Sequence, residues 1–274
     1  MGTYITDTSD SGLHISYKYS NNCIEVNSKR QNIKIVDTID FGKALFLDNC
    51  IQSTESDEYI YHETMVHTLL MGSPNIKRVL ILGGSEGCIS REVLKYEGVE
   101  EIIQVDWDET LISFYKEDFS YNNKGAYKDS RVKIYYEDAF EFLKKDITFY
   151  DAIFVDLLDP KPDTLNFFKE LFDIAFLRLN KGGGIIANVG SVSPIIRSCA
   201  DDLADWLKPK LERRFALKIY VPSFIQPWCF LGGLPRERIY REKPETKYFD
   251  DNTLKEVSYW SKDYSLSLKN FSDI

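Results

Sequence analysis

Two regimes of hydrophobic patterning divide the chain. Up to about residue 55, apolar and polar positions alternate in short runs, His14-Ile-Ser-Tyr-Lys-Tyr19, Gln31-Asn-Ile-Lys-Ile-Val36 and Lys43-Ala-Leu-Phe-Leu47, with polar breaks between them. A period of two over so few residues predicts strands, and together a small antiparallel sheet. From Glu58 to Leu70 the pattern reads as a helix, capped by Ser56 or Asp57 and stopped by Gly72-Ser-Pro74. Beyond it, short apolar runs alternate with longer amphipathic stretches. The spacing predicts a strand, turn and helix over 78–96, strands at 101–106, 131–136, 150–156 and 184–189, and helices at about 109–119, 138–145, 164–180 and 194–213. Such alternation predicts an α/β fold with a doubly wound, mostly parallel sheet. Phe215–Val221 and Trp228–Gly232 are close enough to form a hairpin that closes the sheet with an antiparallel edge, and 236–274 reads as a covering element. The chain thus divides into a small β-strand domain, 1–56, and a larger domain, 57–274, that includes the connecting helix 57–71.

The larger domain is organised around Arg78-Val-Leu-Ile-Leu-Gly-Gly-Ser-Glu-Gly87, an apolar run that ends in three glycines and leads into Cys88-Ile-Ser-Arg-Glu-Val-Leu-Lys-Tyr96. Gly83, Gly84 and Gly87 have no β-carbon to keep a ligand off the backbone, and the new helix N-terminus offers unpaired N–H groups. Nineteen residues after Gly87 a second apolar run ends in Asp106, about where nucleotide-binding α/β folds place the acid that holds ribose hydroxyls. The spacing points to an adenosine-type ligand. Because the glycines do not follow G-x-G-x-x-G, an adenosyl sulfonium fits better than a dinucleotide; the alternative is a structural turn with no ligand.

Composition narrows the classes. With 274 residues, 43% hydrophobic and 14% aromatic, the chain can bury one large core or two modest ones. No apolar run approaches the ~20 residues needed to cross a bilayer, and the N-terminus lacks the basic and apolar regions of a signal peptide, so a cytoplasmic protein without membrane partners is expected. The five cysteines are odd in number and scattered, with no C-x-x-C pair, which indicates reduced thiols rather than disulfides or zinc. His62 and His67 lie five apart, not the four of a helical zinc pair, so no metal is expected. A net charge of −9 disfavours nucleic acid and suits a cationic small molecule, although acidity alone more often means solubility.

Residues that terminate parallel strands face the ligand cleft, and here nearly all are acids. Glu86 lies in the glycine turn, Asp106, Asp138 and Asp156 follow successive strands, and Asp159 comes three residues later in Asp156-Leu-Leu-Asp-Pro160. Carboxylates converging on one cleft repel each other unless a cation lies between them. Some can instead be helix caps, and for Asp138 the two readings are evenly matched.

In order along the chain, from about Arg30 to about Gly233, these residues resemble the polyamine aminopropyltransferases, the spermidine and spermine synthase family. Gln31 stands where the family has the Gln of its Tyr-Gln-Asp-Ile segment, and Phe41-Gly-Lys-Ala-Leu-Phe-Leu-Asp-Asn-Cys-Ile-Gln52 is similar to its strand pair ending in Gln. Asp57-Glu-Tyr-Ile-Tyr-His-Glu63 matches its helix, and Asp156-Leu-Leu-Asp-Pro160 the segment of its catalytic base. The resemblance implies a Rossmann-like fold of the class I methyltransferase type. It implies transfer of an aminopropyl group from decarboxylated S-adenosylmethionine to a small polyamine, with release of methylthioadenosine, no metal, and a homodimer or homotetramer. By matching position, Asp156 and Tyr61 would be catalytic. Asp106 would hold the ribose, Asp138 with Ala139 the adenine, and Gln31, Gln52, Gly83, Gly84 and Gly87 would line the nucleoside site. Glu86 would face the aminopropyl ammonium, with Tyr61, His62, Asp159, Phe224 and Trp228 on the polyamine side.

Departures refine this. Gly-Gly-Ser-Glu-Gly replaces the usual Gly-Gly-Gly-Asp-Gly, and Phe224 stands where spermidine synthases have a Tyr; both, with Phe-Gly-Lys-Ala-Leu and Asp-Leu-x-Asp-Pro, are similar to the thermospermine synthase branch. Asn188 replaces a usual Gln, and the loop after Pro160 is short. Spermidine is therefore the expected acceptor, with putrescine as the alternative. A methyltransferase using intact cofactor is a rival on the same fold, opposed by Glu86, which would repel the methionine carboxylate. A non-catalytic polyamine-binding protein is another, opposed by the presence of Tyr61, Asp156 and Asp159.

Overall fold

Alternation in the first 55 residues does produce strands, five rather than the three expected. In the computed structural model, which describes residues 3–8, 13–71, 73, 75–119, 122–234 and 244–271, β1 (Thr3–Asp7), β2 (Ile15–Asn27), β3 (Asn32–Thr38), β4 (Gly42–Leu47) and β5 (Cys50–Thr54) form an antiparallel meander in that order. The β4–β5 hairpin turns on Asp48 and Asn49, both left-handed (φ 49° and 62°), a conformation that short polar side chains tolerate without glycine. Ile5, Tyr17, Val36, Ala44 and Phe46 bury one face of this sheet. The other face, with Ile33, Ile35 and Leu45, packs on Leu111, Tyr115 and Phe119 of the larger domain.

α1 (Glu58–Leu70) joins the two sheets, and every residue in it except Tyr59 is buried. A helix enclosed on all sides needs no amphipathic stripe but must satisfy its polar groups internally. Glu63 accepts from the backbone N–H groups of Lys247, Tyr248 and Phe249, and Thr64 donates to Ile60 O. Asp57 occupies the N-cap position, but its carboxylate makes no cap bond and turns to Thr54 and Ser223. The expected stop at Gly72 and Pro74 lies outside the described residues.

The second sheet follows the predicted alternation: β6 (Arg78–Gly83), α2 (Cys88–Val93), β7 (Glu101–Val105), α3 (Glu109–Lys116), β8 (Val132–Tyr135), α4 (Ala139–Lys145), β9 (Tyr150–Asp156), α5 (Leu165–Phe176), β10 (Leu179–Ser191), α6 (Cys199–Leu207), β11 (Arg213–Tyr220) and β12 (Pro227–Leu234). The strand order is β11-β12-β10-β9-β6-β7-β8. One expectation needs correction. The helix read at 194–213 is only α6, because a Ser198–Asp201 capping box fixes its start and Pro209 has no N–H to continue it. The expected hairpin does close the sheet with an antiparallel edge: β12 pairs antiparallel with β10, and β11 pairs antiparallel with β12 as the outer strand.

α4, α5 and α6 bury one face of the sheet, and α1 and α2 the other. The tail, with α7 (Asp251–Val257) and α8 (Leu266–Lys269), is a covering element over 244–271; Phe271 is fully buried and Trp260 Nε1 donates to Ala216 O at 3.0 Å. Among the described residues no helix is long and apolar enough to cross a membrane.

Gly83 is required by the chain itself before any ligand is considered. Its φ is +84°, and a β-carbon there would stand 2.1 Å from Asp156 O. Gly83→Ala is therefore expected to cost about 1–2 kcal/mol for the left-handed backbone and about 1–3 kcal/mol more for the collision. Gly125→Ala, with φ +76° but nothing within 4 Å, should cost only the first of these, and urea denaturation of the two variants measures the difference.

Candidate active site

β6 and β9 are neighbours from which the chain winds outward in opposite directions, toward β7 and β8 on one side and β10 on the other. At such a switch point the loops after adjacent strands part and leave a crevice. The glycine turn, Asp106 and Asp156 all open onto it. Gly84 N donates to Asp156 O, and Asp156 Oδ2 lies 3.4 Å from where a Gly84 side chain would begin.

Behind the turn stands a residue the sequence reading missed. Gln104 Nε2 donates to Gly83 O (3.0 Å) and Gly84 O (2.6 Å), and its Oε1 accepts from Ser90 Oγ (2.9 Å). Tyr127 donates to Ser85 O at 2.7 Å, and its ring fills the space where Gly87 would carry a side chain. Three carbonyls are thereby drawn away from the crevice. α2 itself is only six residues long.

Around Asp106, burial is the main force that pushes the carboxyl up to about 7, with Asp108 and Asp156 adding repulsion and a bond from Asp108 N opposing it. Gln31 reaches this loop through an intermediary: its amide donates to Asp108 Oδ2 at 3.0 Å, which also accepts from Ser28 at 2.7 Å. Gln52 is half-buried, its amide donating to Cys50 O. Asp138 is a helix cap, its Oδ1 accepting from Phe140 N and Glu141 N at the start of α4, where Ala139 is buried.

Glu86 is buried, and Ser53 Oγ and Tyr115 OH (3.0 Å) both donate to its Oε1. Burial raises its pKa, against the His62 charge and the Ser53 bond. On the opposite side of the turn Tyr61 donates to Asp156 Oδ1 at 2.5 Å. Burial and the charge of Asp156 lift the Tyr61 phenol far above its ordinary value, so it stays a donor. Burial also raises Asp156 itself. Asp159 is pushed up to about 6 by the protein crowded around it, although the carboxyl keeps access to water at the cleft mouth. Asn188, a departure from the usual Gln, donates to its Oδ1 at 2.9 Å, and Trp228 also hydrogen-bonds to it. Phe224 completes a wall, its ring centroid 6.4 Å from Tyr61 and 4.9 Å from Trp228.

His62 sits beside Tyr61, its Nδ1 bonded to Glu58 Oε2 at 2.7 Å. Burial alone would lower its pKa, but Glu58 and the charge of Glu86 raise it. Glu58, His62 and Cys88 are close enough to hold a metal ion, but Arg91 already donates to both Glu58 oxygens (2.8 and 3.0 Å). Arg91 continues to Glu92, and Glu92 to His67, which also bonds to Tyr96. His67 therefore belongs to the interior. A cleft of about 620 Å³ at the amino end of the sheet, lined by Arg78, Glu101, Tyr135 and Phe149 among others, holds charges that are already paired, as in Arg78–Glu101.

Residues 58–230 match the spermine/spermidine synthase domain, and residues 3–55 the spermidine synthase tetramerisation domain. The chain belongs to the spermine/spermidine synthase family. A polyamine aminopropyltransferase of Saccharolobus islandicus is 36% identical over 222 residues, which cover 80% of this chain and 73% of that protein. The crystal structure of the spermidine synthase of Thermotoga maritima has the same fold, with a TM-score of 0.85 at 21% identity over 98% of this chain and 94% of that one. A spermidine synthase in complex with the transition state analogue AdoDATO gives 0.84 at 21% identity over 98% and 95%. The match of the small sheet to a tetramerisation domain supports an oligomeric member of the family.

The raised Asp106 carboxyl gives a pH test. Ribose hydroxyls donate best to an ionised acid, so with Asp106 in its expected role methylthioadenosine should bind more tightly as pH rises through about 7 and level off above it. Stability moves the other way: the folded pKa exceeds the unfolded one, so this group's contribution is present below about 4 and lost as pH rises through about 7. Calorimetric titration of Asp106→Asn should show weak binding with a flat pH profile.

Proposed function

We propose that this aminopropyltransferase uses spermidine in preference to putrescine, with Asp156 as the base, Tyr61 beside it, and Glu86, Asp106 and Asp159 binding the two substrates. It takes the aminopropyl group from decarboxylated S-adenosylmethionine and releases methylthioadenosine. The observation that carries the reading is the Tyr61–Asp156 pair at 2.5 Å on the glycine turn, with Asp159 beyond it. Incubation with the decarboxylated donor and a panel of amines, read by product mass, tests it.

An alkylammonium with a pKa near 10 is almost wholly protonated at neutral pH, and exposing its lone pair costs about 4–5 kcal/mol. Surrounding acids bind the cation but also hold its proton, so a base must stand beside the reacting nitrogen. We assign Asp156 that place, and its raised pKa, which makes it a stronger base, supports the assignment. The nitrogen lone pair attacks the methylene next to the sulfonium. The C–N bond forms as the C–S bond breaks, its electron pair goes to sulfur, and neutral methylthioadenosine leaves. The proton lost from nitrogen passes to Asp156 and then to water. Tyr61 keeps the carboxylate oriented, and the sulfonium is already a good leaving group, so alignment supplies most of what remains. Glu86, held from one side on Oε1, meets the donor ammonium and would repel the carboxylate of intact S-adenosylmethionine.

On the acceptor side, Phe224 and Trp228 offer methylenes an apolar wall, and Asp159 lies next to Trp228 to bind a more distant ammonium. A tyrosine hydroxyl at position 224 would anchor the second ammonium of a short diamine, and Phe224 has none. We take the homotetramer over the homodimer as the assembly, on the match of residues 3–55.

Asp156→Asn should abolish most turnover and leave methylthioadenosine binding close to wild type, as single-turnover rates and calorimetry would register. Spermidine should exceed putrescine in kcat/KM by about ten- to two-hundred-fold, the scale of one pocket contact. Phe224→Tyr should move that ratio toward putrescine, and a putrescine preference in the unmodified protein would overturn the acceptor assignment.

A further inference from the structure

The small sheet reaches into the crevice at two buried points, and nothing about an assembly role requires either. Ser53, on β5, donates to Glu86 Oε1, and the two residues are 4% and 8% exposed. Tyr115 donates to the same oxygen from α3, so both bonds fall on one side of the carboxylate and fix how it is turned. Tyr17, on β2, donates to Ser223 O at 2.5 Å. Ser223 is fully buried and its remaining polar groups are also held: Asp57 Oδ2 accepts from its N–H at 2.7 Å and Asp57 Oδ1 from its hydroxyl at 3.0 Å.

Phe224 follows directly. After it Ile225 is left-handed at φ 62°, a conformation that strains a β-branched residue and persists only where neighbouring contacts hold it. Ile225 N–H donates to Pro222 O and Phe224 N–H to Val221 O, and the Ser223 clamp anchors the same turn. It determines where Phe224 stands against Tyr61 and Trp228.

We infer that Ser53 and Tyr17 are positioning residues, through which the small sheet orients Glu86 on the donor side and the Phe224 loop on the acceptor side. This rests on the roles proposed above for Glu86 and Phe224. Burial makes the two bonds strict, because an unpaired buried hydroxyl, carboxylate or carbonyl has no water to turn to. The sheet's apolar face already docks it on α3, so these bonds add direction rather than attachment.

The two anchors separate experimentally. In the intact oligomer, Ser53→Ala should weaken binding of decarboxylated S-adenosylmethionine about tenfold or more, as expected when a bond to a buried charge is lost. Methylthioadenosine, which lacks the ammonium, should bind as before. Ser53→Thr should restore donor binding, and the spermidine-to-putrescine ratio should not move. Tyr17→Phe should do the reverse, shifting that ratio about two- to tenfold with donor binding unchanged. Calorimetry reads the donor side, kcat/KM for each amine the acceptor side, and light scattering the assembly state. The inference is overturned if both variants match wild type, if each disturbs both sides in parallel, or if the effects track a change in assembly. If wild type transfers no aminopropyl group to any amine, the functional reading fails instead, and the donor-binding comparison still decides the role of Ser53.

Discussion

Acidic groups crowded at the end of one sheet are the constraint to which the surrounding structure answers. Two sets of acids lie close together and behave in opposite ways. Glu58 and Glu92 are pushed up by burial, yet bonds and charge from His62, His67 and Arg91 hold both down at about 2. In the crevice, burial wins: Glu86, Asp106, Asp156 and Asp159 are all raised. Their partners there are mostly hydroxyls, amides and backbone N–H groups, with the His62 charge acting on Glu86 and Asp156. Two imidazoles and one guanidinium, that of Arg91, settle the interior acids. The crevice acids lack such a partner, and the proposed substrates, a sulfonium with an alkylammonium tail and a polyamine, are cations that suit them.

That contrast also explains the position of α1. Glu58 and His67 tie it into the Arg91–Glu92 network, and Tyr61 donates to Asp156. His62 joins the two, bonded to Glu58 and charged toward Glu86 and Asp156. A helix enclosed on nearly every side cannot shift without breaking several buried pairs, so Tyr61 is held against Asp156.

Both domains are therefore needed for one site. The larger sheet supplies the acids, and the smaller one supplies hydroxyls that reach into the crevice, Ser53 to Glu86, Ser28 to Asp108 beside Asp106, and Tyr17 to the Ser223 carbonyl. Hydroxyl donors suit this task because they fix direction without cancelling the negative charge that the substrates must meet.

Local pattern alone determined the alternation of strands and helices, the glycine turn, and the acids Glu86, Asp106, Asp156 and Asp159. These follow from periodicity and from the rule that parallel strands end at the ligand, both properties of neighbouring residues. Motif order along the chain added the family and, with Tyr61, His62, Phe224 and Trp228, the polyamine side. The partners that orient these groups were not legible: Ser53 and Glu86 are 33 positions apart, Asn188 and Asp159 29, Tyr17 and Ser223 206. A lone Ser or Tyr hydroxyl has no spacing signature, and its acceptor is chosen only when sheets and loops meet. The cap formed by Asp138, whose Oδ1 accepts from two backbone N–H groups at the start of α4, likewise became visible only in the structure. The same holds for β12, whose place between β10 and β11 depends on which edge was left open once the parallel strands had paired. Residues close in sequence fix the kind of element and the kind of chemistry, and folding decides which distant side chains share a buried space where every polar atom must find a partner.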